Sequence, residues 1–345
     1  MATRNELKTA FKAALMPKDP SKFSNSDANE AAINAILETY ELTNASAREI
    51  RARQAEVFAI MEEVIEEIMP AQITNIVGGF VETKTFARDA KPIFEIKGLG
   101  KRRARLGILE GARGGIYKAR RLDNKSMEVS TKVWTVSVYV TLEDIILGTY
   151  SLAELMANIV EGFTEKIYIE SVRALRTAKT VAPGANHGEG NGFDGAEVDR
   201  LIGIAKQYGD VVIMGFRPAI AKINNGTGWD TNPNITVEDM NDIRNAGFVT
   251  KYHGVPVVEL PNYLMDNNNA EWVFKSGDMF ILPVASRPVK LAMVGDLRIV
   301  EDPHPSGSVE QNAHRIMGLG LMLANDVCVY TDLDVDADTD YKGNY

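Results

Sequence analysis

Apolar residues recur at helical spacing in two long stretches of the chain and alternate with polar ones in several others. From Ala45 to Met69, Ile50, Val57, Ile60, Met61, Val64, Ile65 and Ile68 fall on one face of a helix. Ser46 and Glu49 form its capping box, and Pro70 is expected to end it because proline has no backbone N–H to donate. The longest predicted helix runs from Ser151 to about Ala178. Its stripe is Leu152, Leu155, Met156, Ile159, Val160, Phe163, Ile167, Val172 and Leu175, with Glu and Arg residues opposite. At the usual helical rise it would span roughly 40 Å. The period changes to two from Ile73 to Phe86 and again from Val129 to Thr141, which predicts strands that bracket the intervening segment as a long hairpin.

The remaining chain reads as a compact alternation of elements. Residues 1 to 45 are polar and predict a tethered arm with a helix from Asp27 to Leu42. After a loop rich in Gly and Asn, Asp194 opens a helix to Tyr208. The apolar strand VVIMG follows, then a short helix after Pro218 and another from Thr236 to Asn245. Strands at FVTKY and VPVVELP are joined by a tight turn at His253 and Gly254. The last quarter reads mostly as strand: WVFKS, DMFILPV, VKLAMVG, LRIVEDP and a long HRIMGLGLMLANDVCVYTDL. The fold class is α+β, without an internal repeat.

Composition narrows the function. With 345 residues, 45% of them hydrophobic and 25% charged, the chain can bury a large core as one big domain or two ordinary ones. Cys328 is the only cysteine, which excludes an internal disulfide, and its apolar setting predicts an inert buried thiol. His187, His253, His304 and His314 are too scattered for a zinc motif, so no metal or other cofactor is expected. There is no GxSxG elbow, and GLGKR at Gly98 lacks the spacing of a phosphate loop. Asp332, Asp334, Asp336, Asp338 and Asp340 alternate near the C-terminus but lack the Gly and Glu of a calcium loop. They read as a solvated acidic tail. The N-terminal stretch lacks the apolar run of a signal peptide, and no segment approaches the roughly 20 apolar residues of a membrane span. A cytoplasmic product without membrane contact is expected.

One segment departs from this balance. Lys97, Lys101, Arg102, Arg103, Arg105, Arg113, Lys118, Arg120 and Arg121 are packed among six glycines, with Glu110 the only acid. The stretch carries a net +8 in a chain of formal charge −9, leaving −17 on the remainder. Gly-rich, self-repelling sequence cannot build a core, and strand-like segments lie on both sides, PIFEI before it and SMEVSTKVWTVSVYVTL after it, so it reads as the tip of a long excursion from a folded body. A nucleic-acid patch has the charge but would want interleaved aromatics, and Tyr117 is the only ring. A merely solvated loop would be unusually long. The reading that uses both the charge asymmetry and the flanking strands is an arm that docks on the acidic surface of another copy.

This order of parts resembles the major capsid protein of tailed bacteriophages, a fold shared with encapsulin nanocompartments. VVIMGFRPAIAKI, GFVTKYHGVPVVELPNY, FILPVASRPVKLAMVGDLRIVEDP and HRIMGLGLMLANDVCVYTDL look similar to that family's axial and closing segments. The resemblance implies an N-terminal arm and helix at 1–82 and an extended loop at 83–132. It also implies a peripheral domain at 133–193 and 263–345, with spine helix 151–178, and an axial domain at 194–262. It implies a structural protein without a catalytic site, forming pentamers and hexamers of itself in an icosahedral shell around double-stranded DNA. The expected location is the virion, after assembly in the host cytoplasm. A separate scaffolding protein and a portal are expected partners, with decoration proteins as further candidates. Some members cross-link the extended loop to a neighbour from a lysine. Lys97, Lys101 and Lys118 are available here, but no acceptor can be matched and cross-linking is not predicted. An encapsulin shell around a protein cargo and, more remotely, a nucleic-acid-binding protein remain open alternatives.

Overall fold

The computed structural model describes residues 8, 47–96, 125–139, 152–223, 247–265, 268, 272–303 and 309–337. In chain order, helix α1 (Ala47–Val77) leads into strands β1 (Val81–Phe86), β2 (Ile93–Ile96), β3 (Lys125–Glu128) and β4 (Lys132–Tyr139). Helices α2 (Leu152–Arg176) and α3 (Ala178–Val181) precede β5 (His187–Gly190), α4 (Gly195–Ala205), β6 (Val211–Phe216) and α5 (Arg217–Ala221). Strands β7 (Lys251–Tyr252), β8 (Val255–Leu260), β9 (Asp278–Pro283), β10 (Val289–Pro303), β11 (Val309–Leu321) and β12 (Cys328–Asp332) follow, and α6 (Leu333–Ala337) closes the described chain. The expected helices at Asp27–Leu42 and Thr236–Asn245 lie outside the described residues, as do His304, Asp338 and Asp340.

Helix α1 corrects the first expectation, because it continues through Pro70 to Val77 where a strand was expected from Ile73. Proline removes one intrahelical hydrogen bond and costs about 3 kcal/mol or more. Met69, Ile73 and Val77 are nearly inaccessible within the main core, and their burial offsets that cost. Thr74 donates its Oγ1–H to the Pro70 carbonyl at 2.8 Å. Gly78 ends the helix, since a Cβ there would sit 2.2 Å from the Thr74 carbonyl oxygen.

Two sheets share the main core. The first has four strands in the order β1-β10-β11-β4, with β1 parallel to β10 and the other pairs antiparallel. The segments expected to form the long hairpin therefore do not pair with each other. Strands β1 and β4 occupy opposite edges, because two long closing strands insert between them. The two expected strands VKLAMVG and LRIVEDP are one strand, β10, whose register shifts between Val294 and Arg298, with Gly295 at φ +66°. Glu66 and Glu62 of α1 accept the Leu297 and Ile299 N–H groups beside this bulge, at 2.6 and 2.5 Å.

The second sheet has six strands in the order β5-β12-β9-β6-β8-β7. Asp194 caps α4 as expected, accepting the N–H groups of Ala196 and Glu197. His253 and Gly254, at φ +46° and +79°, make the two-residue turn between β7 and β8. FVTKY keeps only Lys251 and Tyr252 as strand, and WVFKS is reduced to a single bridge between Leu264 and Trp272. There Asn262 takes over the ladder's role, accepting the Phe274 N–H and donating to the Phe274 carbonyl. The long final stretch divides at Leu323, φ +68°, and a 3-10 turn at Ala324–Asp326, so β11 and β12 lie in different sheets. Asp332 corrects the solvated-tail reading. It is fully buried, and its Oδ1 accepts the N–H groups of Gly192, Asp334 and Val335, the last two opening α6.

A buried ionic knot joins α2 to the second sheet. Asp278 at the start of β9 is inaccessible and meets Arg176 Nε at 2.9 Å, Lys179 Nζ, and the Thr331 hydroxyl at 3.0 Å. Removing one member of such a group leaves an uncompensated buried charge.

Candidate assembly surface

Strands β2 and β3 pair antiparallel, Ile93 opposite Glu128 and Ile96 opposite Lys125, and so close the base of the segment between them. That segment contains Lys97, Lys101, Arg102, Arg103, Arg105, Arg113, Lys118, Arg120 and Arg121, all outside the described residues. Its root is well anchored. Phe94 is buried in a small cluster with Val129, Ala292 and Met322, and meets Phe86 edge-on at 5.7 Å. Lys84 Nζ stands 5.0 Å above the Phe94 ring, and the Val129 N–H donates to the Pro92 carbonyl at 3.0 Å.

The GLGL run in β11 shapes the other side of this root. A Cβ at Gly318 would come within 2.3 Å of the Ser130 carbonyl oxygen, and one at Gly320 within 2.9 Å of Met127 Cε. The chain returning from the excursion thus crosses β11 at a distance only glycine permits. Alternating glycines inside a strand-like run were the available sequence signal for this crossing, and periodicity alone did not reveal it.

Charge is organised around the same sheet. Lys290 is buried in β10, where it pairs with Glu82 and donates to the Arg287 carbonyl at 2.9 Å. Burial opposes ionisation of Glu82, but hydrogen bonds from Lys290 and Lys84 outweigh it and hold the carboxyl below its ordinary value. Burial pushes Glu62 up, only partly countered by the Ile299 N–H. Arg315 of β11 is 3% exposed, with Nη1 3.4 Å from Met69 Sδ. Burial lowers its pKa, against the fields of Glu66 and Asp296.

The other singled-out side chains are dispersed. Cys328 is a buried free thiol whose pKa burial pushes up to about 12, an unreactive setting. His187 is half-buried on β5, His253 faces Asp199 at 2.9 Å, and His314 Nδ1 pairs with the Thr135 hydroxyl at 2.7 Å. Among the described residues no cluster of three or more His, Cys, Asp or Glu could hold a metal, and no helix is long and apolar enough to cross a membrane.

Residues 6–317 match the model of a family described as "SPbeta prophage-derived putative capsid protein YonB", so the chain belongs to that family. It is a phage-type capsid shell protein and a component of the virion. Similar solved structures include the satellite phage P4 procapsid with its size determination (Sid) protein, at 12% identity and TM-score 0.49, covering 83% of this chain and 98% of that one. The bacteriophage PhiM1 mature capsid follows at 11% and 0.48, covering 73% and 85%. The holo-SrpI encapsulin complex from Synechococcus elongatus is similar at 13% and 0.39, covering 75% and 88%. No curated protein sequence matches.

Proposed function

We propose that this chain is the major capsid protein of its particle, forming pentamers and hexamers of itself that close into an icosahedral shell around double-stranded DNA. Residues 83–132 act as the extended loop, reaching a neighbouring copy and docking there through Lys97, Lys101, Arg102, Arg103, Arg105, Arg113, Lys118, Arg120 and Arg121. Residues 1–82 serve as the N-terminal arm and helix, 133–193 with 263–345 as the peripheral domain, and 194–262 as the axial domain. A scaffolding protein and a portal join during assembly in the host cytoplasm, with decoration proteins as further partners. The observation that supports this reading best is the β2–β3 pair, which holds both ends of a +8 segment on a chain otherwise carrying −17. Such docking is electrostatic and weakens with salt.

Electron microscopy of the purified protein, co-expressed with its scaffold where needed, tests the reading. Wild type is expected to form closed shells or rings of five and six. The triple variant Arg102→Glu, Arg103→Glu, Arg105→Glu is expected to keep its circular dichroism spectrum and lose those assemblies. A wild type that stays monomeric at high concentration and low salt overturns the shell reading. Unchanged assembly of the variant overturns the docking role of the loop.

A further inference from the structure

Beside the β10 bulge lies a cleft of about 200 Å³ lined by Arg88, Arg298, His314 and Arg315, with Val133 at its side and Asp296 as its only carboxylate. These side chains come from three separate places: the turn after β1, the far side of the bulge, and adjacent positions of β11. Gly295 brings them together. Its positive φ turns the chain, and a Cβ there would lie 3.5 Å from the Arg88 Cβ, so the Arg88 side chain packs directly over the bulge. Arg315 adds no accessible charge, being 3% exposed with its Nη1 turned to Met69 of α1, so the cleft's exposed cations are Arg88 and Arg298. Val133 is 62% exposed and Val300, two residues beyond Arg298, is 42% exposed, so aliphatic surface flanks the charges.

We propose that this cleft binds carboxylates of a second copy of the chain. The proposal rests on the assembly reading above but not on the excursion itself. The two exposed guanidiniums, Arg88 and Arg298, outnumber Asp296, the carboxylate among the described lining residues, and arginine beside exposed aliphatic surface is the composition of a protein interface. The chain itself supplies the complementary charge, −17 outside the excursion.

The test compares wild type with Arg88→Glu/Arg298→Glu and Arg88→Lys/Arg298→Lys by analytical ultracentrifugation across protein concentration, with circular dichroism as the folding control. Both arginines are exposed, so all three chains are expected to fold. Charge reversal is expected to raise the concentration needed for assembly by about tenfold or more, and the lysine variant by much less. Inorganic phosphate, compared with chloride at equal ionic strength, is expected to compete with wild-type assembly and to have no such effect on the reversed variant. Reversal that leaves assembly at the wild-type concentration overturns the proposal while the shell reading stands. Phosphate that raises the wild-type melting temperature without changing assembly overturns it too, and makes the cleft a site for a free oxyanion. A wild type that never assembles removes the reading on which the proposal rests.

Discussion

The two sheets differ in how their faces are covered. In the second sheet every residue of β6 and β9 is buried. Val212, Met214, Phe280 and Leu282 point into the main core shared with α1 and α2, while Val211, Ile213, Met279 and Ile281 enter a second core beneath α4 and α5. The first sheet gives Leu291, Met293, Ala313 and Met317 to the main core. Among the described residues its opposite face meets a small cluster at the root of the excursion and then opens into the cleft beside Arg88 and Arg298. A sheet covered on both sides stabilises the subunit. One whose described covering lies on a single side carries the proposed docking cleft on its other face.

Substitutions can separate these roles. The largest expected effect is in the doubly covered sheet. Phe280→Ala removes a fully buried ring from the main core, and should cost about 3–5 kcal/mol in urea-induced unfolding. A smaller loss would mean that the second sheet is less tightly held than the first, reversing the comparison.

Gly318→Ala acts on the first sheet at the crossing. Its Cβ would collide with the Ser130 backbone rather than a flexible side chain, so the returning strand must shift, at about 1–3 kcal/mol. Hydrogen exchange should show the loosening at β3 and β4 before it shows any at β6 or β9. Uniform loosening would indicate that the excursion's root is not a separate unit.

The smallest effect is electrostatic. Glu82 is held below the ordinary glutamate value of 4.5, so its contribution is present above that pH and is lost as pH falls through the depressed value. Between pH 5 and 3, Glu82→Gln should therefore lose less melting temperature than wild type. Parallel curves would show that the Lys290 pair contributes nothing measurable.

Much of this organisation was legible in local sequence. The spine helix, the Asp194 cap, the His253–Gly254 turn and the apolar runs of β6 and β9 each express a period or a turn requirement contained within a few residues. The basic excursion was legible by composition, and its closure was legible too, since PIFEI before it and the start of SMEVSTKVWTVSVYVTL after it form the pair β2 and β3. Other features depended on distant partners. Pro70 was read as a helix end because its local cost is evident while the burial of Ile73 and Val77 is not. WVFKS has strand composition, but Asn262 occupies the backbone groups a ladder would need. The cleft was invisible, since Arg88 and Arg298 read as ordinary surface residues until the bulge and strand order bring them together.

By itself, then, the sequence determined the helical and strand periods and the charge separation between one Gly-rich segment and the rest. Those properties are sums over neighbouring residues. Only the tertiary structure decided that β10 and β11 insert between β1 and β4, that the closing stretch divides between two sheets, and that Asp332 is buried. Strand order and burial are set by which apolar faces find one another across long stretches of chain, a competition among non-local contacts that no local window contains.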